Sequence, residues 1–317
     1  MPNQDVTASK VAVLAGGWSD EREVSLNSGA EVARALGEAG FERVDLLDPA
    51  DEEFAYKMAE GAYDVAFVAM HGRGGEDGCI QGMLEVLHIP YTFSGVFASA
   101  LAMEKDVAKV MFARAGIPVP AGVELHGAVR SQRELDSIVD QLGMPLFVKP
   151  VGNGSSFGVS KVTSPDELDA AIRRAAATGD KVLVESAVEG IEVTVPVVGN
   201  DNPRALPIVE IVAGENADFY DETVKYEPSE LHHVIPARVG EDVYVRLQDY
   251  AVLAHLALGC RGCSRSDFIV RSDGMPVILE TNTIPGMTSA SLLPDSARRA
   301  GIEFPELCRR FIELALE

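Results

Sequence analysis

The sequence predicts an α/β protein of more than one domain, opening on a parallel sheet and continuing into α+β units. Its 317 residues exceed what one hydrophobic core usually serves. The first third alternates short, continuously apolar strands with helical patterns, which is the signature of a parallel sheet buried on both faces. The middle reads strand, glycine-serine turn, strand and helix.

The elements follow in order. Lys10 to Ala15 forms a strand that ends in Gly16-Gly17, and Asp20 with Glu23 forms a capping pair for a helix that stops near Gly40. A second apolar strand, 64 to 70, runs into the glycine-rich stretch HGRGGEDG. Ligands of parallel sheets bind at the carboxyl ends of the strands, so both glycine-rich stretches lie where a site is expected. A single helix is expected from Val96 to Gly116, closed by Pro118 and Pro120. The strand at 146 to 150 and the strand VSKV flank the turn VGNGSSFG, and Ser164-Pro165-Asp166-Glu167 starts the helix that follows. The polar stretch from 213 to 236 is too long for an ordinary connection and reads as a lid.

Composition excludes several classes. Apolar residues at 47% and charged residues at 24% are those of a globular chain. The net charge of −22 would repel nucleic acid and anionic membranes, so neither is an expected partner. The first ten residues show no secretory leader and no apolar run spans a bilayer, which points to the cytoplasm. Of the four cysteines, Cys260 and Cys263 form a CxxC, but no second pair lies at metal spacing, so packed thiols are expected.

The segment SRSDFIVRSDGMPVILETN carries the most informative chemistry. Asp273-Gly274 signals a two-residue hairpin turn that pairs Ser272 with Met275. In that register Asp267 faces Glu280 and Arg265 faces Asn282, all on one side of the sheet, while Phe268, Val270, Val277 and Leu279 line the core side. Two carboxylates and an amide beside a guanidinium suit a hard cation such as Mg2+. The other reading of the same pattern is a solvated polar face with an Arg–Asp pair. The glycine-serine turn from Gly152 to Gly158 offers N–H groups and hydroxyls for phosphates, and Lys149 ends the strand before it.

Six stretches in order now carry a resemblance that covers nearly the whole chain: GGWSDEREVSLNSG (16 to 29), HGRGGEDGCIQG (71 to 82), VKPVGNGSSFGVSKV (148 to 162), FYDETVKY (219 to 226), RSDFIV (265 to 270) and LETNTIPGMTSASL (279 to 292). The sequence resembles the D-alanine–D-alanine ligases of the ATP-grasp superfamily. The resemblance implies a three-domain ATP-grasp fold, with a Rossmann-like parallel sheet first and two α+β domains gripping ATP. The expected boundaries are 1–97, 98–188 and 189–317.

It also implies roles. Lys105 and Lys149 would hold the phosphates of ATP, with Ser155 and Ser156 closing over them and Lys225 in the lid. Glu185 and Glu192 would meet the adenine and ribose, and Asp267, Glu280 and Asn282 would bind two Mg2+, with Mn2+ as the alternative. Glu21 would hold the ammonium of the first D-alanine, supported by Ser155 and Tyr226, with His71 close by. Arg265 and the N–H of Gly286 would stabilise an oxyanion, and Ser291 and Leu292 would receive the carboxylate of the second D-alanine. The implied reaction makes D-alanyl-D-alanine for peptidoglycan through an acyl phosphate; the sequence leaves the oligomeric state open, with a homodimer as one option. The rivals are a ligase for D-lactate or D-serine, and an ATP-binding sensor without catalysis. Trp18, Ser186-Ala187 and Ala290 depart from the family pattern.

Overall fold

The computed structural model describes residues 5–128, 130–152, 158–179, 181–213 and 231–317. Three sheets organise them. The first is parallel, with β1 (Lys10–Leu14), β2 (Arg43–Leu47) and β3 (Val65–Val68) in the order β2-β1-β3. Val11 to Leu14 and Val65 to Val68 are fully buried, as continuous apolar strands in a covered parallel sheet should be. Helix α1 (Arg22–Glu38) follows β1, α2 (Phe54–Glu60) follows β2, and α3 (Cys79–Val86) follows the glycine-rich stretch after β3.

Helix α1 begins at Arg22 with Glu21 as its N-cap and no side-chain capping bond, so the expected Asp20–Glu23 capping pair does not form. Hydrogen bonds to Asp48 and Ser25 hold this end instead. The expected single helix from 96 to 116 is two helices, α4 (Val96–Met103) and α5 (Lys105–Arg114), broken where Glu104 leaves helical geometry at φ −82° and ψ 85°. Glu104 accepts a hydrogen bond from Lys181 at 2.9 Å, and the break lets α5 present Lys105 and Lys109 to different partners.

The second sheet is antiparallel, with β4 (Gly122–His126), β5 (Leu146–Pro150), β6 (Ser160–Val162) and β7 (Lys181–Ser186) in the order β4-β7-β5-β6. It is covered by α6 (Gln132–Leu142), whose Ser131–Glu134 capping box fixes its start, and by α7 (Leu168–Ala176). Glu167 accepts from the N–H groups of Thr163 and Ser164, closing a short 3-10 turn before α7.

The third sheet holds β8 (Ile191–Val198), β9 (Arg204–Ala205), β10 (Val209–Ala213), β11 (Leu231–Val234), β12 (Cys263–Val270) and β13 (Pro276–Asn282). Its order is β11-β10-β8-β12-β13, with β9 on β8. The ends of the expected lid are therefore strands, since β10 pairs antiparallel with β11. Helix α8 (Glu241–Leu258) covers this sheet, and α9 (Leu292–Arg299) and α10 (Phe304–Leu316) end the chain. No helix among the described residues is long and apolar enough to cross a membrane.

The cores do not follow chain order. Phe311 of α10 packs edge-on against Phe67 and Phe93, with ring centroids 6.3 and 5.0 Å away, so the last helix is buried in the core of the first sheet. Ala98, Ala102, Ala108 and Phe112 of α4 and α5 join the core under the third sheet. Cys260 and Cys263 are buried free thiols, as expected.

Candidate active site

The decisive pairing is the one between β12 and β13. Arg265 faces Asn282 and Asp267 faces Glu280, as expected, but the route differs. The turn has three residues, Ser272 to Gly274: the Arg271 N–H donates to the Met275 carbonyl at 3.0 Å, and Gly274 closes the turn at φ +79°. That left-handed residue is the place for glycine in a three-residue hairpin. The turn alone would offset the whole hairpin by one residue. A β-bulge at the Asp267–Phe268 step absorbs the offset and restores the expected pairs at the site. Between turn and bulge Phe268 faces Ile278, and Ile278 is fully buried while Leu279 is only partly so, a correction to the expected core face.

On this face Arg265 grips Asp267 with two bonds, Nε to Oδ1 at 3.0 Å and Nη2 to Oδ2 at 2.9 Å. Thr194 on the neighbouring β8 donates its hydroxyl to the same Oδ1. Lys105, the first residue of α5, lies 3.3 Å from Glu280. Asn282 accepts the N–H of Ile284 at 2.8 Å. The Arg–Asp pair and the convergence of carboxylates are thus both present. Among the described residues no group of three or more His, Cys, Asp or Glu side chains gathers for a metal. The set here is two carboxylates and an amide, all oxygen donors, and their charge is met by Arg265 and Lys105. That donor chemistry fits a hard divalent cation such as Mg2+ rather than zinc.

A second cluster lies at the carboxyl ends of β1 and β3. Asp48, just after β2, accepts the Gly17 N–H at 2.9 Å and a bond from Arg22 at 2.6 Å, while Arg22 also donates to the Gly17 carbonyl. Gly16, at φ +100°, packs so closely that an added Cβ would lie 2.5 Å from the Asp48 carboxylate. The Ser25 hydroxyl accepts the Gly16 N–H and donates to the Ala69 carbonyl, both at 2.8 Å. These bonds set the turn that carries Glu21 to the N-terminus of α1.

His71 is buried, with Nδ1 3.2 Å from the Ile284 carbonyl and Nε2 3.1 Å from the Ser28 hydroxyl. A carbonyl only accepts, so the proton sits on Nδ1 and Ser28 donates to Nε2. Burial, opposed by the charge of Glu21, holds the imidazole below its usual range and hence neutral. Glu76 accepts the Gly72 N–H at 2.7 Å. Burial, then the neighbouring charge of Glu21, pushes its carboxyl up to about 8, so Glu76 carries a proton at neutral pH. The charges of Arg265 and Lys105 both act on Glu76, which places the two clusters beside one another.

The third cluster joins α5 to the second sheet. Glu185 on β7 is almost fully buried between two lysines, with Lys109 at 2.5 Å from one oxygen and Lys149 against the other. Glu192 sits on β8 opposite Ile269. Ser291 caps α9 and lies 2.7 Å from the Thr288 hydroxyl, Leu292 is buried behind it, and Gly286 packs against Ser291. Glu31 of α1 accepts the Ser289 N–H at 2.7 Å, tying this loop to the first sheet.

The structure therefore groups Arg265, Asp267, Glu280, Asn282 and Lys105; Glu21 and His71; and Lys149 with Glu185. Ser155, Ser156, Lys225 and Tyr226 lie outside the described residues. Sequence reasoning missed Lys109, Glu76, Ser28 and Thr194. Lys109 had a usable signal, because it stands four residues after Lys105 on a helix and so shares its face.

Two family models match successive parts of the chain. The family described as D-ala D-ala ligase N-terminus matches residues 43–94, and D-ala D-ala ligase C-terminus matches residues 111–313. The chain is 46% identical over 307 residues to the D-alanine–D-alanine ligase of Syntrophobacter fumaroxidans, covering 97% of each. It is 47% identical over 310 residues to that of Desulforudis audaxviator, covering 97% of this chain and 99% of the relative. Among solved structures, the D-alanine–D-alanine ligase from Bacillus anthracis complexed with ATP is similar at a TM-score of 0.82 and 31% identity, over 98% of both chains. The VanG D-Ala:D-Ser ligase from Enterococcus faecalis is similar at 0.80 and 32%, over 97% of this chain and 99% of that one.

Proposed function

The chain belongs to the D-alanine–D-alanine ligase family, and from that premise we propose that it joins two D-alanine molecules at the expense of ATP, making D-alanyl-D-alanine for peptidoglycan. The observation that carries this is the near full-length identity to such ligases, together with the facing Asp267 and Glu280 beside the Glu21–His71 cluster.

A carboxylate is a poor electrophile, so the carboxylate of the first D-alanine accepts the γ-phosphoryl group and the amine of the second displaces phosphate. Glu21 takes the ammonium of the first substrate, and the protonated Glu76 beside it adds no second negative charge. His71, neutral and fixed by Ser28 and Ile284, contributes shape and polarity without competing positive charge. Lys149 and Lys105 meet the phosphates, and Glu185 and Glu192 the nucleoside. Asp267, Glu280 and Asn282 hold Mg2+, which supplies charge to the phosphates when bound. Asp267 also fixes the plane of the Arg265 guanidinium, which faces the oxyanion with the Gly286 N–H. Ser291 and Leu292 receive the second carboxylate at the start of α9, where the helix N-terminus favours an anion.

We read the chain as three working units near 1–97, 98–188 and 189–317, one to each sheet, with α4 and α5 lending their apolar faces to the third-sheet core and α10 to the first. Exposed Phe97, Val110 and Leu256 on α4, α5 and α8, helices of one core, support a homodimer, and light scattering at graded concentration checks it. The lack of an apolar spanning helix among the described residues is in keeping with work in the cytoplasm.

The test is an ATP-consumption assay across D-alanine, D-serine, D-lactate and L-alanine with products resolved by mass. D-alanine-dependent release of ADP and phosphate with dipeptide as product is expected. A product containing D-serine or D-lactate, or nucleotide binding with no turnover, would overturn the reading.

A further inference from the structure

Glu185 raises a question of charge. Its carboxylate is 3% exposed and faces two ammonium groups, Lys109 at 8% and Lys149 at 13%. The two cations arrive from different bodies. On the antiparallel β5–β7 pair Glu185 stands opposite Phe147, so Lys149, two residues along, is its diagonal neighbour on the same face. Lys109 comes from α5, whose apolar residues Ala108 and Phe112 belong to the core of the third sheet. Glu280 contributes negative charge at both lysines, but in direct contact one buried carboxylate meets two cations, so the second of them is available to an entering anion.

Position decides which. Lys149 is the last residue but one of β5, two residues before Val151, where the chain enters the glycine-serine turn, and it is the more exposed of the two. Lys109 lies within a helix and is paired with Glu185 alone among the described ion pairs. Burial and the charge of Lys149 push Lys109 down to about 7, whereas Glu185 holds Lys149 above its usual range in spite of burial. Departure of Lys149 would relieve Lys109 of that repulsion and leave it the full partner of the carboxylate.

We propose that Lys109 is a positioning residue for nucleotide binding, holding Glu185 compensated and in place so that Lys149 can exchange this carboxylate for the phosphates of ATP. The inference rests on the reading of Lys149 and Glu185 given under the proposed function. The bridge also crosses from the third-sheet core to the second sheet, so it would keep the two bodies in register during the exchange.

Calorimetric binding of Mg2+ with adenylyl-imidodiphosphate, a non-hydrolysable ATP analogue, tests this in the full chain. Lys109→Met should weaken binding by at least about tenfold, since Lys149 is then the sole partner of a buried carboxylate. KM for D-alanine should stay unchanged. In a Glu185→Gln background the carboxylate that Lys109 compensates is gone, and adding Lys109→Met should cost less than about threefold. Lys109→Arg, which keeps the cation, should recover most of the affinity and serves if the Met variant fails to fold. Unchanged binding in Lys109→Met, or an equal loss in both backgrounds, would refute the exchange and leave Lys109 a packing residue. Lys149→Met separates the two levels: if it binds the analogue as tightly as wild type, the underlying reading of Lys149 fails instead.

Discussion

Asp267→Asn removes one charge from the face that β12 and β13 build, while changing almost nothing in its shape. Asn can still accept the Thr194 hydroxyl through Oδ1 and one bond from Arg265, so the sheet should stay folded. The second Arg265 bond, now at 2.9 Å, is lost as a charge-assisted contact. A hydrogen bond to a charged group is worth about 1.5–3 kcal/mol, and this pair is not fully buried, so a stability loss at the lower end of that range is expected. The effect on turnover is larger. A unit charge about 4 Å from a divalent cation in a medium of effective dielectric about 20 is worth about 8 kcal/mol, twice the figure for two unit charges. At about 1.4 kcal/mol per decade, and allowing for partial replacement by the amide oxygen, kcat should fall by about two to three orders of magnitude. The assay is coupled ADP release across a Mg2+ titration, with thermal unfolding followed in parallel. Glu280→Gln should behave alike, and the double variant should lose less than the two losses combined, because both act on one ion. A kcat within about tenfold of wild type at saturating Mg2+ would show that the facing carboxylates are only a solvated pair.

Other consequences are as direct. Glu76 has a folded-state pKa of about 8 against an ordinary 4.5, so the folded chain keeps a proton that the unfolded chain releases in between. Stability should therefore fall as pH rises through that window, by up to about 1.4 kcal/mol per pH unit, and Glu76→Gln should abolish the fall. Thermal melts of both proteins from pH 5 to 8 check it (assay values chosen to span about that window), and a constant gap in Tm would count against a protonated Glu76. Glu21→Ala should raise KM for the first D-alanine by about two orders of magnitude through loss of an ammonium partner in a partly buried site, with nucleotide-analogue affinity unchanged. Isotope-labelled order-of-addition kinetics distinguish the two D-alanine sites. Phe311→Ala removes a ring packed on Phe67 and Phe93 and should cost about 3–5 kcal/mol, visible in denaturant melts as a lower midpoint and in proteolysis as early cleavage of α10.

Local chemistry makes much of this protein legible in its sequence alone. The strands β1 and β3 were legible because a strand covered on both faces has no reason to alternate. The order of six motifs was enough to identify the family resemblance, since each is short, contiguous and rich in glycine or charge. The pairing of Asp267 with Glu280 was also legible, though through two departures that cancel: a turn one residue longer than expected and a bulge of one residue. Turn chemistry acts over a few residues and can be read from them, whereas a bulge answers to what the neighbouring strand and core require. Tertiary structure decided the rest. The break at Glu104 depends on Lys181 of a different sheet, and the docking of α10 depends on aromatic rings near the opposite end of the chain. The proton on Glu76 and the sandwiching of Glu185 between Lys109 and Lys149 come from burial and from charges brought together by packing, quantities that no spacing along the chain encodes.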